Sequence, residues 1–115
     1  MTELEPYQAL AKQDIFKAFE MQLRKDFESA ACALPDDFVL EKTYDLLLKQ
    51  ITRQVKQLST GNYLQSLLYR IDVSEAQIKK QTQSNANSDF EEIVAELIIK
   101  RILQKVILKI HFSRK

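Results

Sequence analysis

The stretch that decides the fold lies near the end of the chain and reads FEEIVAELIIKRILQKVILKIHF over residues 90–112. It contains no glycine and no proline. Up to Ile98 its apolar residues recur at steps of three and four, and beyond Ile98 they spread around the helix. A helix that is apolar on nearly every side has to be covered on most of them. We therefore expect a long helix that forms either the central element of a bundle or half of a subunit interface.

The composition of the whole chain also favours long helices. Its 115 residues are 45% hydrophobic and 29% charged, values that are typical of one globular domain. It has only one glycine and two prolines. Strands need these residues for tight turns, and phosphate-binding loops need glycine, so the composition argues against sheet proteins and most nucleotide-binding motifs. We predict a single all-α domain over residues 1–115.

Apolar periodicity and the breaks between periodic segments predict where the helices lie. Leu34-Pro35-Asp36-Asp37 is expected to end the first helix, and Asp36 or Asp37 to cap the second. A strand over residues 106–112 stays open as an alternative, because apolar and polar residues alternate there. The predicted fold is an irregular four- to five-helix bundle with the long C-terminal helix at its centre. The predicted segments are a frayed lead-in or short helical turn at 1–12, helices at about 14–31, 37–58, 63–71, 75–81 and 89–111, and a mobile loop at 83–88.

The sequence holds few of the residue types that catalysis or metal binding requires. Cys32 is the only cysteine and His111 the only histidine, so one chain can form neither an internal disulfide nor a histidine-based zinc site. A single cysteine fits a reducing compartment, and no apolar run approaches the ~20 residues of a membrane span. The acidic N-terminus does not resemble a secretory signal. We predict a cytoplasmic protein that is not an enzyme and has no metal, no cofactor and no membrane partner.

Residues 67–80, LLYRIDVSEAQIKK, carry the one local pattern that has a function attached. Ser74 and Gln77 have the spacing of a capping box, which would start a helix directly after a short turn. The stretch resembles the helix-turn-helix of bacterial regulators, whose second helix enters the major groove of DNA. It departs from that pattern at Asp72, where glycine is usual, and at Leu68, where a small residue is usual. The resemblance implies an alternative role as a DNA-binding regulator that uses residues 63–81, with DNA contacts from Glu75, Gln77, Lys79 and Lys80.

Charge is distributed unevenly, although the net charge is only +1. Residues 1–50 carry ten acidic and six basic residues, whereas residues 51–115 carry six acidic and eleven basic residues. No acidic residue follows Glu96. The bases of the last helix either solubilise a very apolar segment or form a phosphate-binding patch. They are Lys100, Arg101, Lys105, Lys109, Arg114 and Lys115.

The leading hypothesis for function is a small, non-enzymatic interaction or scaffold protein. Its apolar C-terminal helix is expected to self-associate, and a two-fold homodimer is the default form of such an assembly. The residues expected at this interface are Ile99, Leu103, Ile107 and Ile110. A second candidate surface for a protein partner is the helix corner that contains Tyr69, Arg70 and Asp72.

Overall fold

A computed structural model describes residues 8–85 and 87–113 of the chain. Within these ranges the protein is all-α, as predicted, and contains no strand. The helices are α1 (Gln13–Ser29), α2 (Tyr44–Leu58), α3 (Tyr63–Ile71), α4 (Glu75–Ser84) and α5 (Phe90–Ser113). Residues 106–112 belong to α5, so the alternative of a C-terminal strand is wrong.

The C-terminal helix α5 lies at the centre of the bundle, as its composition predicted. It packs against each of the other four helices. Its first half is covered on nearly every side, with Ile93, Val94 and Ile98 all buried. The second half is covered on one side only, since Ile102 and Val106 are buried whereas Leu108 is exposed. The helix is therefore a core element for about half its length and a partly uncovered one beyond it.

Helix α1 presents the predicted apolar stripe to the core. Phe19, Leu23 and Phe27 are completely buried. The helix ends at Ser29, and Ala31, two residues later, has a positive φ of 63°, in the left-handed region. The amide of Cys32 donates to the carbonyl of Phe27 at 2.9 Å, which closes the terminus in the Schellman pattern.

The second helix begins at Tyr44, about seven residues later than its periodicity predicted. Asp36 and Asp37 lie in a turn and do not cap it; the residue before the helix is Thr43. Residues 32–43 form an irregular connection, in which Leu40 is buried. Tertiary contact rather than helical hydrogen bonding holds this connection.

Two side chains supply the hydrogen bonds that the connection would otherwise lack. Arg24 donates to the carbonyls of Pro35 and Phe38. Gln50 accepts from the amide of Glu41 and donates to the carbonyl of Val39, both at 2.8 Å. Because these partners come from distant parts of the chain, periodicity alone could not show that the helix starts late.

The other boundaries lie close to their predicted positions. Helix α4 continues to Ser84, three residues beyond the predicted end, so the first part of the predicted loop at 83–88 is helical. Ala86 lies outside the described residues. In the predicted lead-in, Gln8 and Ala9 are helical and Leu10 is buried against the core. Residues 1–7 and 114–115 also lie outside the part of the chain that the structure describes.

Candidate functional site

An apolar groove runs between α1 and the last turns of α5, and it is the first candidate site. We call it the α1/α5 groove. Its volume is about 510 Å³. Both helices contribute lining residues, most of which are apolar or have long side chains. From α1 these are Ala18, Met21, Gln22 and Lys25, and from α5 they are Val106, Lys109 and Ile110.

Large apolar side chains stay exposed at Met21, which lines the groove, and at Leu108 and Phe112, which lie on other sides of the last turns of α5 and do not belong to the described lining. Met21 is 73% exposed, Leu108 52% and Phe112 60%. Ile107 and Ile110 are partly buried against the core. Contiguous exposed apolar surface on a folded domain marks interaction sites, and here that surface consists of Met21 together with the partly buried Ile110.

The four residues predicted to mediate self-association divide into two pairs. Ile99 and Leu103 are fully buried within the chain, where α5 meets its neighbours. They are core residues and offer no surface to a partner while the bundle is folded. Ile107 and Ile110 lie where the neighbouring helices no longer cover α5 completely. Of the predicted set, only this second pair borders a surface that a partner could cover.

A polar network lies directly beside the α1/α5 groove and was not predicted. Asp26 is only 5% exposed, and its carboxylate accepts a hydrogen bond from Lys105 Nζ at 3.1 Å. Gln22 Nε2 donates to the other carboxylate oxygen of Asp26 at 3.0 Å, and Lys109 Nζ donates to Gln22 Oε1 at 3.3 Å. The signal in the sequence was a carboxylate on the apolar stripe of α1 together with a lysine on the stripe of the last helix.

Charge on the α1/α5 groove has one sign among the residues that the structure describes. Lys25 lies on the α1 side and Lys109 on the α5 side, and no carboxylate belongs to the described lining. Asp26, beside the groove, is paired with Lys105. Asp14 and Glu28 lie one turn beyond the lining residues of α1 at either end and do not belong to the described lining. The groove therefore combines an apolar floor with positively charged edges.

The corner between α3 and α4 is the second candidate site, and its backbone follows the predicted pattern closely. Asp72 has φ 73° and ψ 49°, the left-handed conformation for which glycine is the usual residue at this turn. The amide of Val73 donates to the carbonyl of Leu68 at 2.9 Å, which closes α3. The capping box is confirmed: Ser74 accepts from the amide of Gln77, and Gln77 Oε1 accepts from the amide of Ser74.

The packing of this corner differs from the predicted helix pair. Val73 and Ile78 are both buried, but α4 packs mainly against α5 rather than α3. Leu68 is larger than the residue usual at its position and is partly buried against the core. The second helix of the corner is thus held by the central helix of the bundle.

The four predicted DNA-contacting residues are all exposed. Gln77 and Lys80 line a small groove of about 210 Å³ between α4 and α5, together with Lys100 and Arg101. Lys79 does not belong to the described lining of that groove. The structure therefore brings Lys80 together with two bases of α5 that the sequence had placed on a separate patch.

The third predicted surface, around Tyr69, is exposed, and one of its three residues pairs with the central helix. Tyr69 is 89% exposed, and Arg70 is exposed beside it. The carboxylate of Asp72 pairs with Arg101 of α5, with Nη2 at 3.3 Å from Oδ2. This exposed ion pair ties the corner to the central helix.

Within the described ranges, no group of three or more potential ligand residues could hold a metal ion. Cys32 is half-buried, and loss of solvent around the thiol raises its pKa. His111 lies edge-on to Phe112, with their ring centroids 5.7 Å apart. None of the helices in the described ranges is both long and apolar enough to span a bilayer.

Comparison with known proteins identified no relative: no family model matches the chain, and neither the curated proteins nor the solved structures contain a significant match.

Proposed function

We propose that this chain is a non-enzymatic interaction protein whose working surface is the α1/α5 groove. The occupant we propose is an acidic amphipathic helix from another protein, and the compartment is the cytoplasm, in keeping with the single cysteine. The observation that carries the proposal is an open apolar groove beside the uncovered end of an otherwise buried helix.

The shape of the groove suits a helix. Its two walls are the helices α1 and α5, and Ala18 leaves space between them. An amphipathic helix laid into such a groove would place one apolar residue per turn against Val106 and Ile110 and would cover exposed Met21. This is the recognition mode in which a groove selects apolar anchors at steps of three and four residues.

Charge selects the sign of the partner. The ammonium groups of Lys25 and Lys109 flank the groove, so carboxylates on either side of the partner's apolar stripe would meet opposite charge. Complementary charge of this kind accelerates association and disfavours partners of the wrong sign.

The same charges argue against a second copy of this chain as the occupant. A symmetric pair of α5 helices would bring together two segments whose charged residues after Glu96 are all basic. Like charges at an interface oppose association. Self-association through the C-terminal helix stays a prediction from the sequence, and the experiment below distinguishes it from an acidic partner.

The test uses two designed helical peptides, one with leucines along one face and glutamates elsewhere, the other with lysines in place of the glutamates. We expect the full-length chain to bind the labelled acidic peptide and not the basic one, as measured by fluorescence anisotropy. Met21→Gln should weaken binding about tenfold, since it removes an apolar contact worth about 1.4 kcal/mol. Val39→Gln is the matched control, because Val39 is similarly exposed (76%) but belongs to the 32–43 connection and not to the described lining of the groove.

A second pair of variants tests the charge. Lys25→Glu should weaken binding of the acidic peptide. Lys56→Glu makes the same change of charge at an exposed position of α2 and should not weaken it. No binding of the acidic peptide, or equal effects of the paired variants, would overturn the proposal. Concentration-dependent dimers in sedimentation velocity that Met21→Gln abolishes would assign the groove to a second copy and overturn the acidic partner.

A further inference from the structure

We propose that the outward face of α4 binds duplex DNA through Lys79 and Lys80. This inference goes beyond the proposed function and does not rest on it, because the described lining of the α1/α5 groove shares no residue with the α4 surface.

The corner presents α4 as a rigid, projecting helix. The left-handed Asp72 turns the chain within a few residues, and the reciprocal hydrogen bonds of Ser74 and Gln77 fix the first turn of α4. Among its described residues only Ile78 is buried, so the side of α4 that faces away from α5 stays accessible. A helix that is firmly started and accessible on one side can enter the major groove, which is wide enough to admit one.

The face of α4 opposite Ile78 has the residue types that such contact requires. Helical periodicity places Ala76, Lys80 and Gln83 on that side, with Lys79 next to them, and all four are exposed. The small Ala76 allows close approach, lysines neutralise phosphates, and a glutamine amide can read a base edge. Gln77 is less suited than predicted, because its side-chain oxygen is occupied by the cap.

Acidic groups around this face are few and lie away from its centre. Glu75 is exposed, but helical periodicity places it nearer the side of Ile78. Asp72 is occupied by Arg101, and Glu96 on α5 is half-buried. No Asp or Glu occurs between Ala76 and Ser88. The electrostatic balance of the face is therefore positive.

The positive surface continues from α4 onto α5. Lys80 shares the small groove between the two helices with Lys100 and Arg101. With α4 in the major groove, Lys100 would lie beside it near the phosphate backbone, whereas the charge of Arg101 is shared with Asp72. Phosphate contacts of this kind supply affinity that falls steeply with salt concentration.

The test is fluorescence anisotropy of a labelled random-sequence duplex of about 20 base pairs, long enough for two half-sites, titrated with the full-length chain. At about 50 mM salt, Lys79→Ala/Lys80→Ala should weaken binding at least tenfold and reduce the slope of log K against log salt by about two. Lys49→Ala/Lys56→Ala is the matched control, because it removes the same charge from exposed positions of α2. Circular dichroism establishes that both variants stay folded.

Duplex binding that the α4 variant weakens and the α2 variant leaves unchanged would support the proposal. No binding at about 50 mM salt, equal losses in both variants, or tighter binding to single strands than to the duplex would each overturn it. Met21→Gln separates the two proposals: it should leave DNA binding unchanged while it weakens binding of the acidic peptide.

Discussion

Asp26 on α1 and Lys105 on α5 form an ion pair that joins the two helices, with Nζ 3.1 Å from Oδ2. The side chain of Asp26 is only 7% exposed, whereas that of Lys105 is 24% exposed. The carboxylate is therefore shielded from water, and its charge is balanced by Lys105 and by the amide of Gln22. The pair fixes the register of α1 against the uncovered half of α5.

We expect Lys105→Met to destabilise the protein by about 2–4 kcal/mol, since it leaves a buried carboxylate without its counter-ion. The double variant Asp26→Leu/Lys105→Met should regain much of this loss, because it removes both charges and fills the space with apolar groups. Urea unfolding monitored by circular dichroism measures both free energies. A single variant as stable as the wild-type protein would show that the pair does not hold the two helices together.

Ala31 is expected to be a site where glycine stabilises the fold. Its φ of 63° lies in the left-handed region, which is unfavourable for residues with a Cβ atom. Ala31→Gly should raise the free energy of unfolding by about 0.5–1 kcal/mol. Ala33→Gly, two residues further along without a positive φ, is the control and should give no gain. Thermal and urea unfolding of the two variants provide the comparison.

Arg24 is expected to protect the 32–43 connection from proteolysis. Its guanidinium donates to the carbonyls of Pro35 and Phe38 and also pairs with Glu20 at 3.4 Å. Arg24→Ala removes all three contacts, so limited proteolysis should cut residues 35–39 faster. Glu20→Ala removes only the half-buried i,i+4 ion pair, which does not touch the connection, and should leave the rate near that of the wild type. Equal rates for both variants would contradict a role of the arginine in this connection.

The thiol of Cys32 is expected to react slowly near neutral pH. Burial raises its pKa, so a smaller fraction is present as the reactive thiolate than in an unhindered thiol. Labelling with a thiol-specific disulfide reagent should be slower in the native protein than in urea at the same pH. The native rate should rise as pH increases toward the raised pKa. A native rate equal to the rate in urea would show that the site is open to solvent.

Local sequence determined most of the secondary structure. The stripe of Phe19, Leu23 and Phe27 specified the buried face of α1, and the spacing of Ser74 and Gln77 specified the start of α4. These signals act within one or two helical turns, so periodicity and capping chemistry are sufficient to recognise them. The same holds for the central position of α5, because no helix so apolar can be left uncovered.

The late start of α2 could not be predicted from sequence, for a physical reason. Residues 37–43 have helical periodicity, but Arg24 and Gln50 satisfy the backbone of the connection from 9 to 14 residues away, and Leu40 is buried without a helix. Competition between a local helix and these distant partners is decided by tertiary packing.

The candidate sites also depend partly on local sequence signals and partly on tertiary packing. By itself the sequence determined that this is an all-α bundle with a surplus of apolar surface on its last helix and a capped corner at residues 72–77. Only the tertiary structure decided which part of that surplus stays exposed: Ile99 is enclosed by its neighbours, whereas Ile110 borders a groove. It also brought Lys80 next to Arg101 and Asp26 next to Lys105. These pairs join residues far apart in the chain, and their proximity depends on how the helices cross, which no local pattern encodes.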